Sequence, residues 1–318
     1  MILACGLALA SCGRGTGKAP AAEPEPQVRQ FPVVSPPTMM TEQNEVMGYV
    51  ATHFWKAFSE DEGRWIDDSA HVAGVETKKL EEQVGMFTTV LGMIPMETAN
   101  KAVEAFYEAV EKMEAKDSSS TAFEEGVRLV AKYLYDPSSP VRNEDLYGTL
   151  ARKLAKSPFV SEGMKASYEN EIRLCALNST GSTATDFSFV DKLGRRLSLH
   201  GIKAPYTLLF FTNPGCPSCA DIIRKLKENG KITDMTRGGI LSVVNIYIDE
   251  DLEAWREHLG DYPAEWITGY DDSLLIRTDL LYNVRAIPSL YLLDADKKVI
   301  MKDAPEDRVL SYLENIEE

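Results

Sequence analysis

From Glu42 to Asn178 the apolar positions recur at helical spacing. Val46, Tyr49, Val50, Phe54 and Phe58 form one stripe, and Leu80, Val84, Phe87 and Leu91 a second. Val103, Phe106, Tyr107, Val110 and Met113 form a third, and Phe123, Val127, Val130 and Leu134 a fourth. Leu146, Leu150 and Leu154 follow, then Met164, Tyr168 and Ile172. KDSSS and DPSSPVRNED interrupt the pattern with capping and turn residues. The spacing predicts five to seven helices. Each stripe must be buried against a neighbour, so they are expected to form one compact all-α domain over residues 42–178.

Beyond the polar joint Thr180–Thr185 the period changes. FSFVDKLGRRLSLHG predicts a short strand, a Gly turn and a second short stretch. Tyr206–Thr212, YTLLFFT, is a continuous apolar run of strand length, as for a central strand covered on both faces. A helix striped by Ile222, Ile223 and Leu226 follows and is expected to stop at Asn229-Gly230. LSVVNIYI is a second buried strand. Asp251–Leu259 is a helix with Trp255 inward, and a loop through Trp266 and Tyr270 leads to a helix near Ser273–Leu280. SLYLLD and KKVIMKD form a hairpin, and Pro305 opens a final helix. The order β, α, β, α, hairpin, α predicts an α/β domain over residues 179–318, a mixed sheet flanked by helices.

The chain of 318 residues carries a formal charge of −15, which disfavours nucleic acid and anionic membrane surfaces as partners. RKLAK and RKLKENGK read as solvated helix faces. His53 and His71 stand without spaced metal-ligand partners, Phe54-Trp55 reads as core, and Asp67-Asp68 as a helix cap or stop. No cofactor or metal is expected, and the oligomeric state is left open.

Five cysteines are present. Cys5 and Cys12 fall in the first segment. Residues 1–11, MILACGLALAS, are apolar but too short to span a bilayer and read as a signal peptide, although no Lys or Arg precedes them. Leu9-Ala10-Ser11-Cys12 resembles the bacterial lipobox, which implies lipidation of Cys12. Residues 12–41, rich in Gly, Ala and Pro at their start, read as the lipidated Cys and a flexible tether. The implied address is the cell envelope, membrane-anchored and facing the periplasm, where disulfides persist.

Cys216 and Cys219 end the run LLFFTNPGCPSC. At a helix start, free N–H groups and the helix dipole stabilise a thiolate, the species that attacks a disulfide. Cys219, three residues on, shares the helix face. Cys216 is therefore the expected nucleophile and Cys219 the resolving thiol. A structural metal half-site is disfavoured because only His200 and His258 lie nearby in sequence. A redox-inert binding or scaffold module acting through the helical domain is the alternative. Cys175 reads as a buried core cysteine, with a regulatory pairing to Cys216 as the sharper option. Glu228 and Asp249 are the acids nearest to the pair by element position.

A strand, then CxxC at a helix start, then about seventy residues, then Ile287-Pro288 before a hairpin resembles the thioredoxin fold across residues 184–318. That arrangement looks most like the TlpA/ResA branch of membrane-tethered thioredoxin-like proteins. The whole layout is similar to Bacteroidetes lipoproteins with a helical N-terminal domain. The resemblance implies a protein-disulfide reductase acting on exported disulfide-containing proteins and fed by a membrane thiol donor, with isomerase or oxidase as alternatives. It implies a cis Pro288 facing the cysteines, whose preceding Ile287 offers backbone to an extended substrate. Ile at that position is typical of reductases in the superfamily. Two positions depart from the pattern: Gly215 stands where members often carry Trp, and Phe210 where thioredoxin carries a buried Asp. The second departure implies a high Cys219 pKa and slow resolution.

Overall fold

The computed structural model describes residues 25–316. Two units follow one another along the chain. In the first, α1 (Gln43–His53), α2 (Lys56–Glu60), α3 (Thr77–Leu91), α4 (Met96–Lys116), α5 (Ala122–Tyr135), α6 (Glu144–Leu154) and α7 (Glu162–Cys175) surround one core, and β1 (His71–Val72) pairs with β2 (Val75–Glu76) in a small hairpin. The aromatic rings of Trp55, Phe58, Phe87 and Phe106 meet at its centre. Stripes on α3, α4 and α5 are buried as their spacing demands, whereas Met164 on α7 is half exposed. Asp67 accepts from the Ser120 and Thr121 hydroxyls and from the Thr121 N–H, so it ties the loop before β1 to the start of α5. His53 stacks on Tyr49, and His71 sits on Asp68.

The packed unit starts earlier than the expected tether end at residue 41. Phe31 lies in the core and stacks on Phe58, and Arg29 donates to the carbonyls of Ala73 and Phe58. Composition favoured a tether here, but one aromatic residue in a core gap holds the segment. The expected signal segment and Cys12 lie outside the described residues.

The second unit is a seven-stranded mixed sheet in the order β4-β3-β7-β6-β5-β8-β9. Its elements are β3 (Ser188–Asp191), β4 (Arg196–Ser198), β5 (Tyr206–Thr212), α8 (Pro217–Glu228), α9 (Gly230–Arg237), β6 (Leu241–Tyr247), α10 (Leu252–Glu257), β7 (Ile267–Tyr270), α11 (Leu275–Thr278), β8 (Ser289–Leu293), β9 (Val299–Met301) and α12 (Glu306–Glu314). Strand β5 is central, parallel to β6 and antiparallel to β8. Its alternate residues feed two cores: Leu208 and Phe210 pack with α8, α9 and α12, and Leu209 and Phe211 with the opposite face.

Two elements differ from the sequence expectation. Asn229-Gly230 ends α8 but also starts α9, because the Asn229 side chain accepts from the Ile232 N–H at 3.2 Å and caps the new helix. The expected loop through Trp266 and Tyr270 contains β7, which joins the β3–β4 hairpin to the sheet. A Cβ at Gly269 would fall 2.6 Å from the Phe189 ring, so glycine lets these strands meet.

The units share a buried charged seam. Glu144, first residue of α6, accepts from Arg285 Nε at 2.5 Å and Asn283 Nδ2 at 2.9 Å, and pairs with Lys302 Nζ at 2.8 Å. Arg142 donates to the carbonyls of Asp303 and Ala304, and Lys302 to that of Cys175. Arg285 also lies over the Tyr135 ring.

Candidate active site

The site stands where β5 ends. A turn closed by the Cys216 N–H on the Asn213 carbonyl leads from the strand to α8. Gly215 takes φ +67°, a left-handed conformation that other residues adopt only under strain. This accounts for glycine where a Trp was the family expectation. Cys216 is the N-cap of α8, and Pro217 begins the helix. Cys216 Sγ accepts the Cys219 N–H at 3.2 Å, so a helix-end donor points at the sulfur that must carry charge.

Both cysteines are free thiols. Cys216 is half-buried and Cys219 buried. Burial, with the Cys216 side chain as neighbour, pushes the Cys219 thiol up to about 12. The rise comes first from desolvation and then from the Cys216 side chain, causes separate from the absence of an acid at Phe210. Phe210 is fully buried beside Cys219 in the same core.

The Ile287–Pro288 peptide is cis. Register places it beside the dithiol turn: Ser289 pairs with Phe211, so Pro288 falls one step further, opposite the end of β5. Ile287 and Cys216 both pack against the core under α8. Ser289 Oγ donates to Asp303 at 2.8 Å, and Asp303 also receives Arg285 at 3.2 Å, so residues on both sides of Pro288 are fixed.

A cleft of about 590 Å³ opens along α8, lined in part by Asn213, Cys216, Cys219, Lys227 and Tyr262. Glu228 lies at its far end, paired with Arg224 at 3.1 Å. Asp249 accepts from Asn213 Nδ2 at 2.9 Å and pairs with Arg277, so it braces the turn before the cysteines. Cys175 belongs to the helical core, with its thiol pushed by burial up to about 12. The structure does not bring it to Cys216. His200 sits on the Ala184 carbonyl and His258 on Asp261, away from a shared ligand set. Among the described residues no cluster of three or more His, Cys, Asp or Glu is placed to hold a metal.

A polar group beneath the dithiol escaped the sequence reading. Thr212 Oγ1 donates to Asn245 Oδ1 at 2.6 Å and lies 3.3 Å from the Tyr262 hydroxyl. The signal was present as two polar residues inside the apolar runs YTLLFFT and LSVVNIYI. Glu144, Arg285 and Asp303 escaped as well, because their pairing is interdomain and no local pattern announces it.

Comparison with known proteins agrees with this architecture. A family model described as a domain of unknown function, DUF5106, matches residues 11–178, and one described as thioredoxin-like matches residues 205–299. The crystal structure of a thioredoxin-like protein from Bacteroides caccae superposes with a TM-score of 0.77 at 31% identity, covering 92% of this chain and 100% of that one. Nucleoredoxin of Danio rerio is 25% identical over 101 residues, and that of Homo sapiens 24% identical over 110. These matches span 32% and 34% of this chain but only 24% and 25% of the nucleoredoxins. With both units matched in order and a relative aligned over nearly the whole chain, the protein belongs to the thioredoxin-like proteins that carry a DUF5106 domain ahead of the thioredoxin-like domain.

Proposed function

We propose that the protein is a thiol–disulfide oxidoreductase that reduces disulfides of exported proteins through Cys216 and Cys219. One observation carries the reading: the half-buried Cys216 sulfur, at the helix N-cap, accepts the Cys219 N–H, while the Cys219 thiol waits buried one turn below. Cys216 attacks one sulfur of a substrate disulfide, the other sulfur leaves as a thiolate, and a mixed disulfide forms. Cys219 then attacks Cys216, which releases the second substrate sulfur and leaves the Cys216–Cys219 disulfide. Two electrons pass to the substrate. A thiol donor at the membrane restores the dithiol.

The backbone of Ile287, before the cis peptide, is the proposed landing strip for an extended substrate segment. Lipidation at Cys12 would hold the protein at the envelope. No helix among the described residues is long and apolar enough to cross a membrane. Mass spectrometry of the mature N-terminus, purified from membranes, tests the anchor.

The direction of electron flow is tested by the equilibrium potential of the pair, titrated against glutathione or dithiothreitol with thiol labelling. A value near about −270 mV supports a reductase, and one near about −120 mV makes the protein an oxidant or isomerase. A pair that no reagent titrates points instead to a redox-inert binding module.

A further inference from the structure

The Cys219 thiol must lose its proton in a site with no carboxylate where thioredoxin-like resolution would use one. Strand register shows what stands there instead. Phe210 and Thr212 lie two apart on β5 and face α8 together. Asn245 is the β6 partner of Phe210, and its neighbour Val243 faces the α8 core, so Asn245 does too. Tyr262, after α10, closes the same core and lines the cleft with Cys219. Thr212 two residues along β5, Asn245 opposite on β6 and Tyr262 from the segment after α10 thus gather around Phe210 on the side of the resolving cysteine.

The protons in this group can be placed. Thr212 spends its O–H on Asn245 Oδ1 at 2.6 Å, so across the 3.3 Å contact the Tyr262 hydroxyl must be the donor to Thr212. That contact is long for an O–H···O bond and is readily exchanged. Asn245 Nδ2 meets no acceptor at full hydrogen-bond distance although the residue is wholly buried, and its amide faces the Tyr262 hydroxyl. Burial lifts the Tyr262 hydroxyl above the ordinary phenol, its contacts with Thr212 and Asn245 pull the other way, and negative charge on Cys219 adds to the rise. It therefore stays a donor throughout the working range.

We infer that Tyr262, braced by Thr212 and Asn245, is the hydrogen-bond donor that stabilises the Cys219 thiolate while the mixed disulfide resolves. This rests on the thiol-exchange reading above. When the Cys219 S–H bond breaks, the Tyr262 hydroxyl turns from Thr212 to the sulfur, while the Asn245 amide, already against the tyrosine oxygen, steadies it. Cys219 Sγ then bonds to Cys216 Sγ, the Cys216–substrate S–S bond breaks, and its electron pair leaves on the substrate sulfur. That sulfur takes up the proton released by Cys219, so no external base or reductant enters.

The test uses the full chain and 5,5′-dithiobis(2-nitrobenzoate), which reports both steps in one trace. Attack by Cys216 releases a first equivalent of coloured thiolate, and resolution by Cys219 a second. Tyr262→Phe keeps the ring in its core. It should leave the first phase unchanged, slow the second about tenfold and move the pH profile of the second phase upward, as loss of a hydrogen bond to a charged sulfur requires. Thr212→Val should slow the second phase and Thr212→Ser should not, which separates the hydroxyl from packing. A second phase in Tyr262→Phe with the wild-type rate and pH profile overturns the inference. Absence of the first phase in the wild-type protein would overturn the thiol-exchange reading itself.

Discussion

Arg285 Nε donates to Glu144 Oε1 at 2.5 Å across the boundary between the helical and thioredoxin-like domains, three residues before the cis peptide at Pro288. The same guanidinium donates to the Tyr135 carbonyl and to Asp303, which in turn holds Ser289 just after Pro288. The helical domain is therefore part of the frame that sets the loop facing the dithiol. Burial works against a charged Arg285, but Glu144 and Asp303 outweigh it and hold its pKa above the usual guanidinium range.

Removing one partner of a buried ion cluster leaves its counter-charges without compensation, which costs more than the cluster contributes. Glu144→Gln keeps the shape but strands Lys302, only 2% exposed, and weakens the hold on Arg285. The expected loss is about 3–5 kcal/mol, read from urea unfolding of the full chain. An unchanged midpoint would mean that the seam contributes nothing net. A second expectation concerns the site: because Arg285 anchors the loop, Glu144→Gln should also slow disulfide exchange with peptide substrates more than with small aromatic disulfides, which do not need the Ile287 backbone.

The Cys219 thiol gives the protein a defined pH response. Its value rises from an ordinary 9.0 to about 12 on folding, through burial and the neighbouring Cys216 side chain. A raised folded value means the native state holds this proton more tightly than the unfolded chain. The associated stability is complete below pH 9 and is lost as pH climbs from 9 towards 12. The resolving step needs the thiolate, and burial, the larger cause of the rise, persists in the mixed disulfide, so its rate should still climb with pH between neutrality and pH 9. Stopped-flow measurement of that phase checks this, and a plateau near pH 8 would contradict it.

Much of this architecture was legible because burial leaves a period. The stripes on α3, α4 and α5, the continuous run of β5 and the turn before Cys216 all follow from local pattern. What was not legible depends on contacts distant in sequence. Asn229 caps a helix that its own Gly neighbour argues against, and Gly269 hides β7 because close approach to Phe189 removed the side chain that would have marked a strand. Thr212, Asn245 and Tyr262 converge only once β5 and β6 are in register. The Glu144 seam joins residues well over a hundred positions apart and has no local signature at all.

Gly215 bears on how the active-site turn is made. Its φ of +67° penalises any Cβ, yet nothing lies within 4 Å of where that Cβ would stand. The cost is thus conformational and not steric. Gly215→Ala and Gly215→Trp should destabilise by the same amount, about 1–2 kcal/mol, and Gly215→Asn by less, since Asn tolerates the left-handed region. Thermal melts of the three variants test this. A Trp variant much worse than Ala would show that the space is closed in solution.

Phe31 shows where the folded unit begins. Its ring stacks on Phe58 at 5.1 Å and meets Trp55 edge-on at 5.3 Å, so it fills the aromatic centre of the helical core from outside the helices. Arg29 fixes the approach by donating to the Ala73 and Phe58 carbonyls, with its guanidinium over the Phe58 and Trp65 rings. A chain anchored in this way cannot act as a free tether through residue 41. Phe31→Ala opens a cavity between Phe54, Trp55 and Phe58, and the expected cost is about 3 kcal/mol. Hydrogen exchange gives the finer reading: protection of the Arg29 and Ile66 amides, which donate to the Gly74 and Gln27 carbonyls and join the strap that Phe31 pins to the loop beside it, should fall in the variant before that of α4 does. Equal protection in both proteins would place the start of the cooperative unit after Phe31.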